Sequence, residues 1–294
     1  METSKIITRI VLFCGVVMLT TSCVKDDIYN TPHPSQGAVM ITTDWSGRST
    51  EATQPVSYQL RVSDRAEQAD EQTVKGNINI FHSLLSQETY ELLVYNSPEA
   101  ITVSGDVATV ASTDGKIIEA LPGYLFSAAQ TLNVVKDDTL FVTVAMRQRI
   151  RQLTLILKLK EGDHDHIIDT KATLSGIASS VNLKTGALSS TSGASLVPVL
   201  KKAVESDGTP VLTATFRLLG IAKGEEQKLN IAITLNNGTT QIMETDLTEV
   251  LHEHFDDSMT PLVLGANFNL PSQADFSGSI TGWSLKEGGQ VDIH

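Results

Sequence analysis

Seven histidines are the side chains of this sequence best suited to hold a metal or move a proton. His164-Asp165-His166 sets two imidazoles two residues apart, a spacing that on a strand turns both to one face, as a metal pair requires. The triplet follows the turn residues Glu161-Gly162-Asp163 and no third ligand accompanies it, so it reads as a solvated hairpin tip. His252 and His254 flank Glu253 in a similar triplet, but residues two apart on a helix point to different sides, so this pair reads as surface. His33 falls in a polar linker, His82 follows a strand, and His294 is the last residue. The sequence has no GxSxG elbow, no P-loop, no strand-to-helix GxGxxG and no HExxH. Its carboxylates, such as Asp137-Asp138 and Asp256-Asp257, fall in turns and read as solubilising charge, not as the facing pair of a glycosidase. These residues predict neither an enzyme nor a metal or cofactor site.

Chemistry of another kind lies near the start of the chain. Lys5 and Arg9 precede an apolar stretch, residues 10–19, that is too short to span a bilayer, and Thr20, Thr21 and Ser22 are small residues that a signal peptidase accepts. Cys23 comes next. A small-residue triplet ending on cysteine resembles the lipobox of bacterial lipoproteins, with Leu19 one place further from the cysteine than usual. The resemblance implies that residues 1–22 are removed and that the Cys23 thiol carries a diacylglyceryl group. Val24-Lys25-Asp26-Asp27 is similar to the acidic signal that sends Bacteroidetes lipoproteins to the outer face of the outer membrane.

Removal of residues 1–22 takes Lys+Arg from 22 to 20 and Asp+Glu from 34 to 33, so the formal charge moves from −12 to −13. Such a surface repels phosphate backbones and anionic lipid, which argues against nucleic acid and against a polybasic membrane patch. Cys14 leaves with the leader, so one mature chain holds a single cysteine and no internal disulfide. Stability then rests on packed cores, for which 272 residues suffice.

The elements that must carry this chain are strands. Residues 25–37 (KDDIYNTPHPSQG) form a polar, proline-bearing tether. After it Val39, Ile41, Thr43 and Trp45 alternate with polar or small residues, as do Val56, Tyr58, Leu60 and Val62, and then Val74, Gly76, Ile78 and Ile80. Residues 90–95 are apolar on both faces and read as a sheet interior. Residues 101–103 and 107–110 flank the turn Ser104-Gly105-Asp106. The row Leu140, Val142, Val144, Met146 closes the first half, and the arginine-rich run 146–151 (MRQRIR) reads as a seam. Further strands are expected over 153–159, 167–174, 211–218, 229–235, 262–268 and 276–285. Only residues 246–255 (DLTEVLHEHF) show helical spacing, with Asp246 and Glu249 in capping-box register. The pattern predicts an all-β protein of two tandem β-sandwich domains with one short helix in the second. The predicted organisation is a signal peptide at 1–22, a lipidated tether at 23–37, and sandwich domains at 38–147 and 148–294.

Several segments in order resemble the fimbrial anchor and minor-subunit lipoproteins of Bacteroidetes, the group associated with type V pili. They are Cys23 with its tether, then 38–45 (AVMITTDW), 151–159 (RQLTLILKL), 172–186 (ATLSGIASSVNLKTG), 213–220 (TATFRLLG), 262–270 (LVLGANFNL) and the last strand at Trp283. The resemblance covers essentially the whole mature chain and rests on order and spacing, not on one diagnostic motif. It implies transthyretin-like sandwiches, no enzymatic activity, outer-membrane attachment through acylated Cys23, and fimbrial subunits as partners that join by strand addition. In that family structural subunits are often trimmed after an arginine; Arg48 lies where such a cut would fall and an anchor would have to keep it intact, although it reads first as an ordinary surface arginine in a loop. The rival expectation is a glycan-binding surface lipoprotein of a polysaccharide-uptake system, resting on Trp45 and Trp283 as sugar-stacking rings. Both tryptophans read more readily as plugs of a sandwich core.

Overall fold

The row Val39, Ile41, Thr43, Trp45 behaves as its period of two dictates: all four side chains are buried, and their neighbours Ala38, Met40 and Thr42 lie on the other face of β1 (Gln36–Asp44). The computed structural model describes residues 34–191, 193–255, 259–270 and 278–286. Cys23, the leader 1–22, His33, His294 and most of the tether lie outside the described residues.

After β1 come β2 (Tyr58–Ser63), β3 (Ala69–Val74), β4 (Ile78–Ile80), β5 (Leu85–Ser86) and β6 (Thr89–Tyr95). Four short strands follow: β7 (Ile101–Ser104), β8 (Val107–Val110), β9 (Ser112–Thr113) and β10 (Ile117–Ile118). The segment ends with β11 (Phe126–Asn133), β12 (Thr139–Ala145) and β13 (Arg147–Gln148). Two of the resulting sheets, β12-β1-β4 with β5 on the start of β1, and β13-β11-β6-β2-β3, enclose one core. Val39, Ile41, Leu60, Leu92, Phe126 and Leu132 fill it, each contributing about 1.5–3 kcal/mol by burial.

The second half runs β14 (Arg151–Lys158), α1 (Asp163–His166), β15 (Ile167–Ser175), β16 (Ser180–Asn182), β17 (Leu188–Ser189) and β18 (Ser195–Leu196). It continues with β19 (Lys201–Val204), β20 (Pro210–Leu218), β21 (Lys228–Leu235), β22 (Thr240–Asp246), α2 (Thr248–His254), β23 (Leu262–Asn269) and β24 (Ser279–Leu285). The sheets are β19-β20-β14-β23-β24, β22-β21-β15-β18-β10-β9 and β17-β16-β8-β7. A second core gathers Leu153, Leu155, Leu157, Leu174, Phe216, Ile231 and Leu264. It also takes in Ile101, Ala108, Val110 and Ile118, because β8 pairs with β16 and β10 with β18. The all-β class with two sandwich cores is therefore what the chain adopts, with two short helices in the second half where one was expected.

Some local expectations differ. Val56 is 80% exposed and precedes its strand. The row from Val74 to Ile80 is two strands and not one: the chain turns at Gly76 (φ +72°), where the Tyr58 hydroxyl donates to the Gly76 carbonyl at 2.7 Å. Beyond the turn Asn79 donates to that hydroxyl at 2.9 Å, and Ile78 and Ile80 are left on the outer face. The helix is shorter than 246–255. Asp246 ends β22 and accepts from the Thr248 N–H at 2.8 Å, and Leu247 and Leu251 bury the apolar side of α2. No helix among the described residues is long and apolar enough to cross a membrane.

Candidate assembly surface

The chain that leads from Cys23 enters the fold through β1, so the geometry of β1 decides what that attachment would hold. β1 runs parallel to β12 on one side and antiparallel to β4 on the other. Ala38 donates to the Asp138 carbonyl at 3.0 Å, Phe81 to Val39 at 2.9 Å, and Thr43 to Asn77 at 2.8 Å. Gly37 is pinned where the chain enters: a Cβ there would collide with the Val135 carbonyl and come within 3.0 Å of the Asp138 carbonyl. β1 is thus an interior strand, bonded along both edges and unable to slide without breaking its sheet.

At the far end of β1, Trp45 is 3% exposed and meets Tyr58 and Phe126 edge-on, each ring centroid 5.4 Å away. Its indole N–H donates to Thr43 Oγ1 at 2.9 Å, which lies 3.0 Å from the Tyr58 hydroxyl. Burial pushes the Tyr58 phenol above its ordinary pKa, against the opposing hydrogen bonds from Thr43 and Asn79. Trp283, half-buried, donates to Thr245 Oγ1 at 2.9 Å and so joins β24 to β22. Trp45 is closed to a sugar ring, and Trp283 is tied to a neighbouring strand. Arg48 is exposed in the loop after β1, its guanidinium donating to the Trp45 carbonyl at 3.1 Å.

The expected seam carries a polar junction between the two cores. Arg149 donates to Ser127 Oγ at 2.8 Å and to the Leu183 carbonyl at 3.3 Å, while Arg151 reaches the His254 carbonyl at 2.8 Å. Sequence reasoning missed the rest of this junction. Arg61, on the interleaved face of β2 that pattern assigns to solvent, is 8% exposed and pairs with Asp106 in the β7–β8 turn. Lys184 then joins Asp106 at 2.8 Å and Glu91 at 2.5 Å. The only signal for it was an arginine within the apolar row of β2, and its partners lie far away in sequence. An open cleft of about 830 Å³ beside this junction is lined by Arg149, Val181, Leu188, Ile221 and Phe255. Lys223, Glu225 and His252 also line it.

The histidines do not converge. His164 and His166 lie in the short turn of helix α1, not on a strand: Lys202 donates to the His164 carbonyl, and His166 Nδ1 lies 3.1 Å from Asn236. His252 and His254 sit on α2 as expected of a helix. Among the described residues no three His, Cys, Asp or Glu side chains are grouped to hold a metal ion. His82 and Ser83 both bond to Asp70, but the serine hydroxyl donates to the carboxylate and not to the imidazole, so no nucleophile is activated.

The fold is that of an all-β protein whose sheets enclose two cores joined by a polar junction. Residues 36–286 match the family of fimbrillin-A associated anchor proteins Mfa1 and Mfa2, and the chain belongs to that family. The family is one of anchor proteins associated with fimbriae at the cell surface, not of enzymes. Among solved structures the chain is similar to the fimbrial anchor protein Mfa2 from Porphyromonas gingivalis, at 12% identity over 87% of this chain and 98% of that one, TM-score 0.59. It is also similar to two adhesin candidates from Bacteroides ovatus. One is 15% identical over 89% of this chain and 97% of that one, TM-score 0.59. The other is 11% identical over 88% and 96%, TM-score 0.62. At these identities the likeness is one of fold. No protein of curated function matches the sequence significantly.

Proposed function

We propose that this chain is a fimbrial anchor or accessory subunit, held in the outer membrane by acyl chains on Cys23 and joined to other fimbrial subunits by strand addition. Residues 38–147 and 148–294 supply the two sandwich domains in this reading, with β7–β10 of the first segment lent to the second core. The observation that carries it is the place of β1, directly after the tether and bonded to β12 and β4 along its two edges. A pull on the fibre would pass from the sandwich through β1 and then along the tether to the lipid. Each buried methylene adds about 0.8 kcal/mol, so several chains on one cysteine give near-permanent attachment. Arg48 remains uncut in this role, because cleavage there separates the lipid and β1 from the body.

The reading is tested by deleting the gene and then imaging and fractionating fimbriae. Changed length, number or attachment supports it; fimbriae unchanged in all three respects refute it. The glycan-binding alternative has no open tryptophan on Trp45 to support it and is not pursued.

A further inference from the structure

We infer that the outer edge of β12 is the site at which this protein receives an extended strand of another fimbrial subunit. The inference rests on the anchor reading above and adds which edge accepts. Met146 donates to the Asp44 carbonyl and Ala38 donates to the Asp138 carbonyl, so the even-numbered residues of β12 turn their backbone groups toward β1. The N–H and C=O groups of Phe141, Thr143 and Ala145 therefore point the opposite way, where no described strand pairs. Groups two residues apart along a straight edge are left to water unless another extended strand engages them all in register.

The other edges are blunted. β3 (ADEQTV) is charged, and Gln72 on it bonds the Ile80 carbonyl and the His82 N–H. β19 carries Lys201 and Lys202, and β22 carries Glu244 and Asp246. β24 is uncharged but kinked, with Gly282 at φ +73° and a register shift opposite Gly265–Asn267. The remaining edge strands are four residues or shorter. β12 (TLFVTVA) is seven residues long, in continuous register with β1, and has neither charge nor proline within it. Natural edges of that kind are rare unless something covers them.

The outer face specifies the occupant further. Phe141, Met40 and Ile80 stand in one cross-strand row, with Phe141 71% and Ile80 58% exposed. A strand added beside β12 extends that row, so its matching residue is apolar and alternate residues share that face. The occupant is thus an extended, alternately apolar segment of a partner subunit. Because β1 remains in place, the addition lengthens the sheet and displaces nothing.

The test places a photo-crosslinking benzoylphenylalanine at Phe141 in the full-length chain, in its own cells, with matched probes at Ile242 on β22 and Ile280 on β24. The expected product joins position 141 to a segment that mass spectrometry assigns to another fimbrial subunit. Thr143→Pro removes one outward N–H and no bond to β1; it should cut that product at least tenfold, while Thr143→Val keeps it. Ala145→Pro repeats the test at a second outward N–H should the first variant misfold. No product at 141, a product with the chain's own residues 24–33, a product with a second copy of this chain, or an undiminished yield in a folded proline variant each overturns the β12 assignment. Subunit products at Ile242 or Ile280 alone overturn the edge but leave the anchor reading standing, whereas unaltered fimbriae on gene deletion refute that reading itself.

Discussion

Lys184 and Asp106 meet at 2.8 Å, and through them the tip of the β7–β8 turn is fastened to the loop after β16. The same ammonium reaches Glu91 on β6, while Asp106 also pairs with Arg61 on β2. Four side chains thus span from the first core to the second. Leu183 donates to the Asp106 carbonyl at 2.7 Å alongside them, so backbone and side chains lock the same joint. In the proposed anchor role this joint would make the two halves move together.

Lys184→Met should lower stability by about 1–2 kcal/mol, more than a surface pair and less than a fully buried one, since Lys184 is 23% and Asp106 33% exposed. Desolvation draws the Lys184 ammonium down, but hydrogen bonds and attraction from Asp106 and Glu91 outweigh it and hold its pKa above the ordinary lysine value. A pKa raised on folding contributes stability that is complete below the unfolded value, about 10.4, and lost as pH rises through the folded one. Thermal melts from neutral to strongly alkaline pH should therefore show the advantage of wild type over Lys184→Met shrinking only on the alkaline limb.

Trp45→Ala should cost about 3–5 kcal/mol, because it empties the space between Tyr58 and Phe126 and strips Thr43 of a donor. Chemical denaturation measures this directly. Trp45→Phe, which keeps most of the volume, should cost less than half as much.

Gly37→Val should be poorly tolerated, since the added side chain runs into the Val135 and Asp138 carbonyls. Hydrogen exchange is the measurement: amides of β1 and of its partner β12 should lose protection together in the variant.

Arg48 should be intact on the cell. Mass mapping of the protein isolated from cells should find peptides on both sides of Arg48 in one chain, with the mature end at Cys23.

The apolar-rich rows were legible: β1 and β21 alternate against one buried face, and β14 and β20, each buried on both faces over part of its length, also lie in the expected ranges. β11 (FSAAQTLN) escaped because its two large buried residues, Phe126 and Leu132, stand six apart with small or polar residues between them and give no apolar row. β22 (TQIMETD) escaped because only Met243 in it is buried. The row from Val74 to Ile80 misled, since one positive φ at Gly76 reverses which residues face the core. Arg61 was illegible for a different reason. Its burial depends on a hairpin from the other core lying over it, and periodicity along one strand carries no trace of that.

The account turns on Cys23 as the point of attachment, and replacing it with serine in cells tests that most directly. The account predicts that Cys23→Ser melts like the wild type, leaves the membrane fraction, and changes the attachment or length of the fimbriae. A variant that stays in the outer membrane, with fimbriae of unaltered number, length and attachment, would contradict it.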